Sequence, residues 1–171
     1  MGSNYLLTIG AMLLLSLFIL TTNRMIMQNN IIQSESEFVI TATSLAQAVL
    51  DEIKTKAFDE NTVTGEISTP DSLSTTLGKD TGESFSYPDV SVTSLYLSAT
   101  TFDDIDDYNG YQRTVDTPIA ESFSLQVVVS YVYPLNPETS SGTNSRCKLV
   151  TVNASSPYIS IPISLKYAFT Y

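Results

Sequence analysis

The first twenty-three residues contain no charged side chain, and within them Leu6–Leu20 forms an almost unbroken apolar run. Behind it a helix-period pattern continues, without Pro or Gly, to about Phe58. Together these stretches predict one long N-terminal helix, apolar in its first half and amphipathic in its second. The remainder reads as a polar, Ser/Thr-rich β-domain. That order of parts constrains the fold more than any residue elsewhere.

A membrane-spanning helix needs roughly 20 apolar residues. Tyr5–Thr22 lies near the lower limit, interrupted only by Thr8, Gly10 and Ser16. A secretory signal would open with basic residues and close on a small-residue cleavage site. No Lys or Arg precedes the run, and Thr21-Thr22-Asn23-Arg24 is a poor cleavage site, so the segment is expected to be retained. The nearest charge is Arg24, on the C-terminal side, which by the positive-inside tendency would hold the following domain in the cytoplasm. A basic leader that set the orientation and was then removed, leaving Met1 as the first mature residue, would resolve that conflict.

Composition narrows the function. The net charge is −10 and the sequence pI about 4.1, which argues against nucleic acid as a partner. There is no His and no Trp, so His-based catalytic triads and His-rich metal sites are excluded. The single Cys147 cannot form an internal disulfide and reads as a buried thiol in a strand. No enzymatic activity is expected.

Phe38, Ala42, Leu45, Val49 and Ile53 recur at intervals of three or four, which places them on one helical stripe. That stripe predicts docking on a sheet. From Asn61 to Pro88 the chain is poor in hydrophobes and reads as a connection, with at most a short strand near Ser84–Tyr87. Strand patterns follow at Val90–Leu97, at Ser122–Tyr133 (Phe123, Leu125, Val127, Val129, Tyr131 and Tyr133 on one face), at Lys148–Asn153 and at Tyr158–Tyr171. Pro162 demotes the last to an edge. The expected fold is α+β, with an antiparallel sheet laid on the amphipathic half of the helix. The expected organisation is a hydrophobic helix over 1–36 and a head over 37–171. The head divides into a helix half (37–58), a connection (59–88) and a sheet (89–171).

A charge-free helix continuous with an amphipathic half, then a loop and a sheet, resembles a type IV pilin or pseudopilin. Ala42–Asp59 (with Ala46-Gln47, Glu52-Ile53 and Phe58-Asp59-Glu60), the acidic Phe102–Gly110, Val127–Tyr133 and Lys148–Val152 are similar to minor pilins of the mannose-sensitive haemagglutinin pilus type. The resemblance implies a subunit held in the membrane before assembly, processed and methylated by a prepilin peptidase. An assembly machinery would then build it into a homopolymeric filament on the cell surface, serving adhesion, motility or secretion. Tyr5 stands where the family usually carries a glutamate, if Met1 is the mature start.

A filament is also physically sensible without that resemblance. Identical helices packed head to tail, with a rotation that does not close, build a fibre. Leu6, Leu7, Ile9, Leu13, Leu14, Leu17 and Phe18 are the candidates for its core. Thr21-Thr22-Asn23 is a candidate for local loosening of the helix, with a continuous helix slightly favoured. The competing class is a monomeric, single-pass membrane-anchored β-domain that binds a partner or ligand.

Asp103, Asp104, Asp106, Asp107 and Asn109 place five oxygen-bearing side chains ahead of Gly110. Hard cations such as calcium take six to eight oxygens from a flexible loop, so these residues are a candidate calcium site, against the alternative of a solvated turn. No other cofactor is expected. Asn153 opens an Asn-Ala-Ser sequon, a candidate glycosylation site. The loop 137–145 is a candidate O-glycan acceptor or a plain surface loop.

Overall fold

The computed structural model describes residues 2–83, 102–120 and 122–171. The expected strands at Ser84–Tyr87 and Val90–Leu97 lie outside the described residues. The chain divides into two compact units, Met1–Glu37 and Phe38–Tyr171.

The first unit is helical from Gly2 onward and belongs to α1, which runs Gly2–Ile53. The helix does not loosen at Thr21-Thr22-Asn23. Both threonine hydroxyls donate back to the Phe18 carbonyl, at 2.8 and 2.9 Å, so the weak helix formers stay within the helical ladder.

The second unit is α+β, with the end of α1 packed on a five-stranded antiparallel sheet. After α1 come a one-turn helix α2 (Glu60–Val63), then β1 (Gln112–Val115), β2 (Phe123–Tyr133), β3 (Asn136–Ser140), β4 (Cys147–Ser155) and β5 (Ile163–Thr170). The strand order is β1-β2-β4-β5, and β3 pairs with the far end of β2. Thus β2 and β4 lie at the centre, in register from Ser124 opposite Ser155 to Tyr131 opposite Lys148. Ala42, Leu45, Val49 and Ile53 are buried against this sheet, and Phe38 is half-buried beside the Tyr158 ring. Ala46 and Leu50 are buried too, so the docked face is wider than a single row. Phe102, Tyr108 and Tyr111 fill the adjoining part of the core with edge-to-face and tilted ring contacts.

Four expectations need correction. α1 ends at Ile53 rather than near Phe58: Thr55 and Lys56 bond the carbonyls three residues back, and Ala57 then pairs with Asp103 and Ile105 in a short parallel bridge. That non-local pairing takes the backbone out of the helix. In β2 the alternation holds to Tyr131, but a register shift between Val132 and Tyr133 buries Val132 and exposes Tyr133. The final strand begins at Ile163, after Pro162, and Ile161 is exposed. The stretch taken as a loop after Pro134 instead turns at Pro134-Leu135 into β3.

Candidate functional site

Two places in this chain hold side chains that a packed, solvated domain does not ordinarily leave in such states. They are the bare helix of the first unit and a buried charge cluster in the second.

In the first unit, Leu6, Leu7, Ile9, Leu13, Leu14, Leu17 and Phe18 are all exposed, as are Met12, Leu15, Ile19 and Leu20. Over Leu6–Leu20 apolar side chains therefore surround the helix with no polar face, which water does not support. Its most apolar 18-residue window has a mean hydropathy of 2.1, long and apolar enough to cross a membrane. The few hydroxyls are satisfied internally: Thr8 donates to the Tyr5 carbonyl at 2.9 Å and Ser16 to the Met12 carbonyl at 2.8 Å. The backbone and hydroxyl groups of this stretch thus need nothing from solvent. Further along, Met25, Ile26, Met27, Ile31 and Ile32 are exposed among Asn and Gln.

In the second unit, Lys148 lies on β4 with the same parity as Val150, Val152 and Ala154, so its side chain points into the core and is fully buried. Its ammonium donates to the Phe58 carbonyl at 2.7 Å and to Asp59 Oδ2 at 2.8 Å, and it lies 2.5 Å from Asp106 Oδ1. The Phe58 and Tyr131 rings flank it, with centroids 4.5 and 5.0 Å from Nζ. Asp59 is brought there by its place just before α2, where it caps the helix: Asn61 N–H donates to Oδ1 at 3.2 Å. The Ser74 N–H lies 3.1 Å from each oxygen, and the Tyr131 hydroxyl donates to Oδ2 at 2.9 Å.

Charge in this cluster is uneven. Burial works to raise the Asp59 carboxyl, but Lys148, the Ser74 N–H and the Tyr131 hydroxyl outweigh it and hold the group below the usual carboxylate range. Asp106 is pushed up to about 7 by burial and by Asp59, against the pull of Lys148. Its Oδ2 has no hydrogen-bond partner among the described residues. Asp104 is pushed up to about 8 by burial and by the charges of Asp106 and Asp107. Burial and the negative charge of its neighbours also raise the Tyr131 hydroxyl.

The acidic motif therefore lies largely in the core, with Asp104, Asp106 and Asp107 buried around a 3-10 turn at Asp106–Tyr108. Asp107 Oδ2 accepts from the Asp103 and Asp104 N–H groups, and Asp104 Oδ1 accepts from the Asp107 N–H. Asn109 bridges outward, its amide donating to the Leu77 carbonyl and its oxygen accepting from the Val129 N–H. Gly110, at φ +84°, then turns the chain onto β2. Among the described residues, Glu83, Asp103 and Asp107 bring carboxylate oxygens within 4.8 Å of one another. Burial and a hydrogen bond to Asp107 raise Glu83 to about 7.

Asn153 lies inside central strand β4, opposite Gln126 and Ser164, rather than at a strand end. Cys147 is buried and free, and burial raises its thiol. Sequence reading placed Tyr131 on the apolar face of β2 but passed over Lys148 and Asp59. The available signal was parity: a lone Lys on the inward side of an otherwise apolar strand requires a buried counter-charge. Comparison with protein-family models, curated proteins and solved structures finds no match for this chain.

Proposed function

We propose that this chain is a structural subunit of a type IV pilus-like extracellular filament that polymerises through its N-terminal helix. The observation that carries this reading is the Leu6–Leu20 stretch of the helix, apolar on every side and without an internal partner for Leu6, Leu7, Ile9, Leu13, Leu14, Leu17 or Phe18. Such a surface fits two environments, a bilayer and a bundle of like helices, and a filament subunit uses both in turn. The α+β head, whose core takes in the end of the same helix, is compatible with a pilin-like design. On this reading the membrane holds the subunit before assembly. A prepilin peptidase and an assembly machinery are its partners, and adhesion, motility or secretion is the role of the fibre. Shearing cells and analysing the released material is the test. Fibres containing this chain support the proposal. Recovery only as a detergent-soluble monomer from membranes overturns it in favour of a monomeric anchored β-domain.

A further inference from the structure

The Lys148 cluster is more than an ion pair. An amine and two carboxyl groups share one buried, ring-lined site, and the two carboxyls differ in the donors that hold them. Lys148 and Asp59 are each 0 % exposed, which removes the bulk water that would hydrolyse or dilute a reactive pair. Nζ is 2.8 Å from Asp59 Oδ2. A carboxyl C–O bond is about 1.2 Å, so Cγ lies within about 4 Å of the nitrogen, near the roughly 3–3.5 Å of a near-attack arrangement.

We propose that Lys148 and Asp59 condense into an intramolecular amide bond, with Asp106 as the acid–base group. Oδ1 of Asp59 accepts from the Asn61 and Ser74 N–H groups, at 3.2 and 3.1 Å, so backbone donors already face the oxygen on which negative charge grows in a tetrahedral intermediate. Among the described residues Asp106 has no such donors. Instead its Oδ1 touches the nucleophilic nitrogen at 2.5 Å, and its Oδ2 has no hydrogen-bond partner there. Its carboxyl is raised to about 7, so it can hold or release a proton near neutrality.

The step balances without a co-reactant. The ammonium first gives a proton to Asp59 Oδ2, leaving a neutral amine and a neutral carboxylic acid. The nitrogen lone pair then adds to Cγ. Asp106 gives its proton to the Oδ2 hydroxyl, which leaves with its bonding pair as water, and takes a proton from the nitrogen. One C–N bond forms, one C–O bond breaks, one water departs, and Asp106 ends protonated as it began. The product carries one N–H, and the Phe58 carbonyl, 2.7 Å from Nζ, is positioned to accept it. The gain is electrostatic: two desolvated charges become a neutral amide, which relieves the cost of burying them. This inference rests on the head alone and is independent of the filament reading.

Mass spectrometry of the denatured full chain tests it. The expected result is a mass one water below that of the sequence. Trypsin should release a branched peptide joining residues 57–79 to residues 147–166, because an acylated Lys148 resists cleavage. Asp106→Ala and Lys148→Arg should each restore the full mass and separate peptides. A full-mass wild-type chain cleaved normally after Lys148 overturns the proposal, whatever the variants do. So does a one-water loss with unjoined peptides, which marks a cyclised aspartate. A branch at Asp106 instead of Asp59 overturns the assignment of roles.

Discussion

Lys148 on the central strand β4 meets Asp59, six residues beyond the end of α1, at 2.8 Å in a site where neither side chain reaches solvent. The strand and the segment leaving the helix are thereby joined at one point in the core. A buried charge held this way is costly to leave alone, so its value lies in the pairing.

Replacing Lys148 with Met should destabilise the head by about 3–5 kcal/mol, because Asp59 loses its partner while staying buried. Urea denaturation of wild type and variant measures this. A loss below about 1 kcal/mol, the range of exposed pairs, would show that the site is wetter than its geometry indicates.

Stability should fall as pH rises from mildly acidic to mildly alkaline. Asp104 and Asp106 are raised to about 8 and about 7, so the folded chain keeps protons that the unfolded chain, at the ordinary 3.8, has lost. The folded state binds more protons across that window, and each such proton costs up to about 1.4 kcal/mol of stability per pH unit as pH rises. Asp59, which is lowered, acts oppositely and only on the acid side. Tm should therefore decline from about pH 5 to pH 8, and Asp104→Asn should flatten the decline. The sign is the same with or without the amide bond. A Tm that climbs across this range would contradict the assigned shifts.

Folding of the head should not need the first unit. A chain lacking Met1–Asn30 retains every buried residue of the core and should be a soluble, folded monomer. Conversely, Leu14→Asp should leave the head's circular dichroism unchanged and abolish fibres, since a charge at a helix centre costs about 2.5–3.5 kcal/mol on insertion scales.

Cohesion of the fibre should come from apolar packing and not from an ion pair at the chain start. Tyr5→Phe should assemble normally, because a phenol there replaces no charge. Leu13→Ala together with Leu17→Ala should weaken the fibre, each buried truncation costing about 2–5 kcal/mol where the cavity cannot collapse. Electron microscopy and shear sensitivity read both. A filament map placing the first amine against a neighbour's Glu35 or Glu37 would refute this account.

Periodicity made the long helix and β2 legible, because spacing of three to four or of two is a local property of the chain. What sequence could not show was decided by partners distant in sequence. Ala57 belongs by composition to the helix, yet Asp103 and Ile105 claim its backbone. Tyr133 follows the alternation of β2, yet a bulge one residue earlier turns it outward. The aspartates around Asp106 stand out as a cluster, but their spacing reads as a calcium site or a solvated turn. Burial appears only once Lys148, 42 positions later, is known to lie against them. Lys148 itself was visible as a parity violation in β4, a weaker signal than a motif and easily passed over.

The Lys148–Asp59 contact also sets a mechanical path. Tension entering the head through the end of α1 meets Asp59 within a few residues, and there it can cross to β4, the strand paired on both sides. Lys148 and Asp59 are 89 positions apart in sequence, with β1, β2 and β3 between them, so the contact is a shortcut from the helix exit to a strand that the chain reaches only after three others. A pull on the helix would thus load the sheet's central strand directly at Lys148, beside the load carried by the packed face from Ala42 to Ile53.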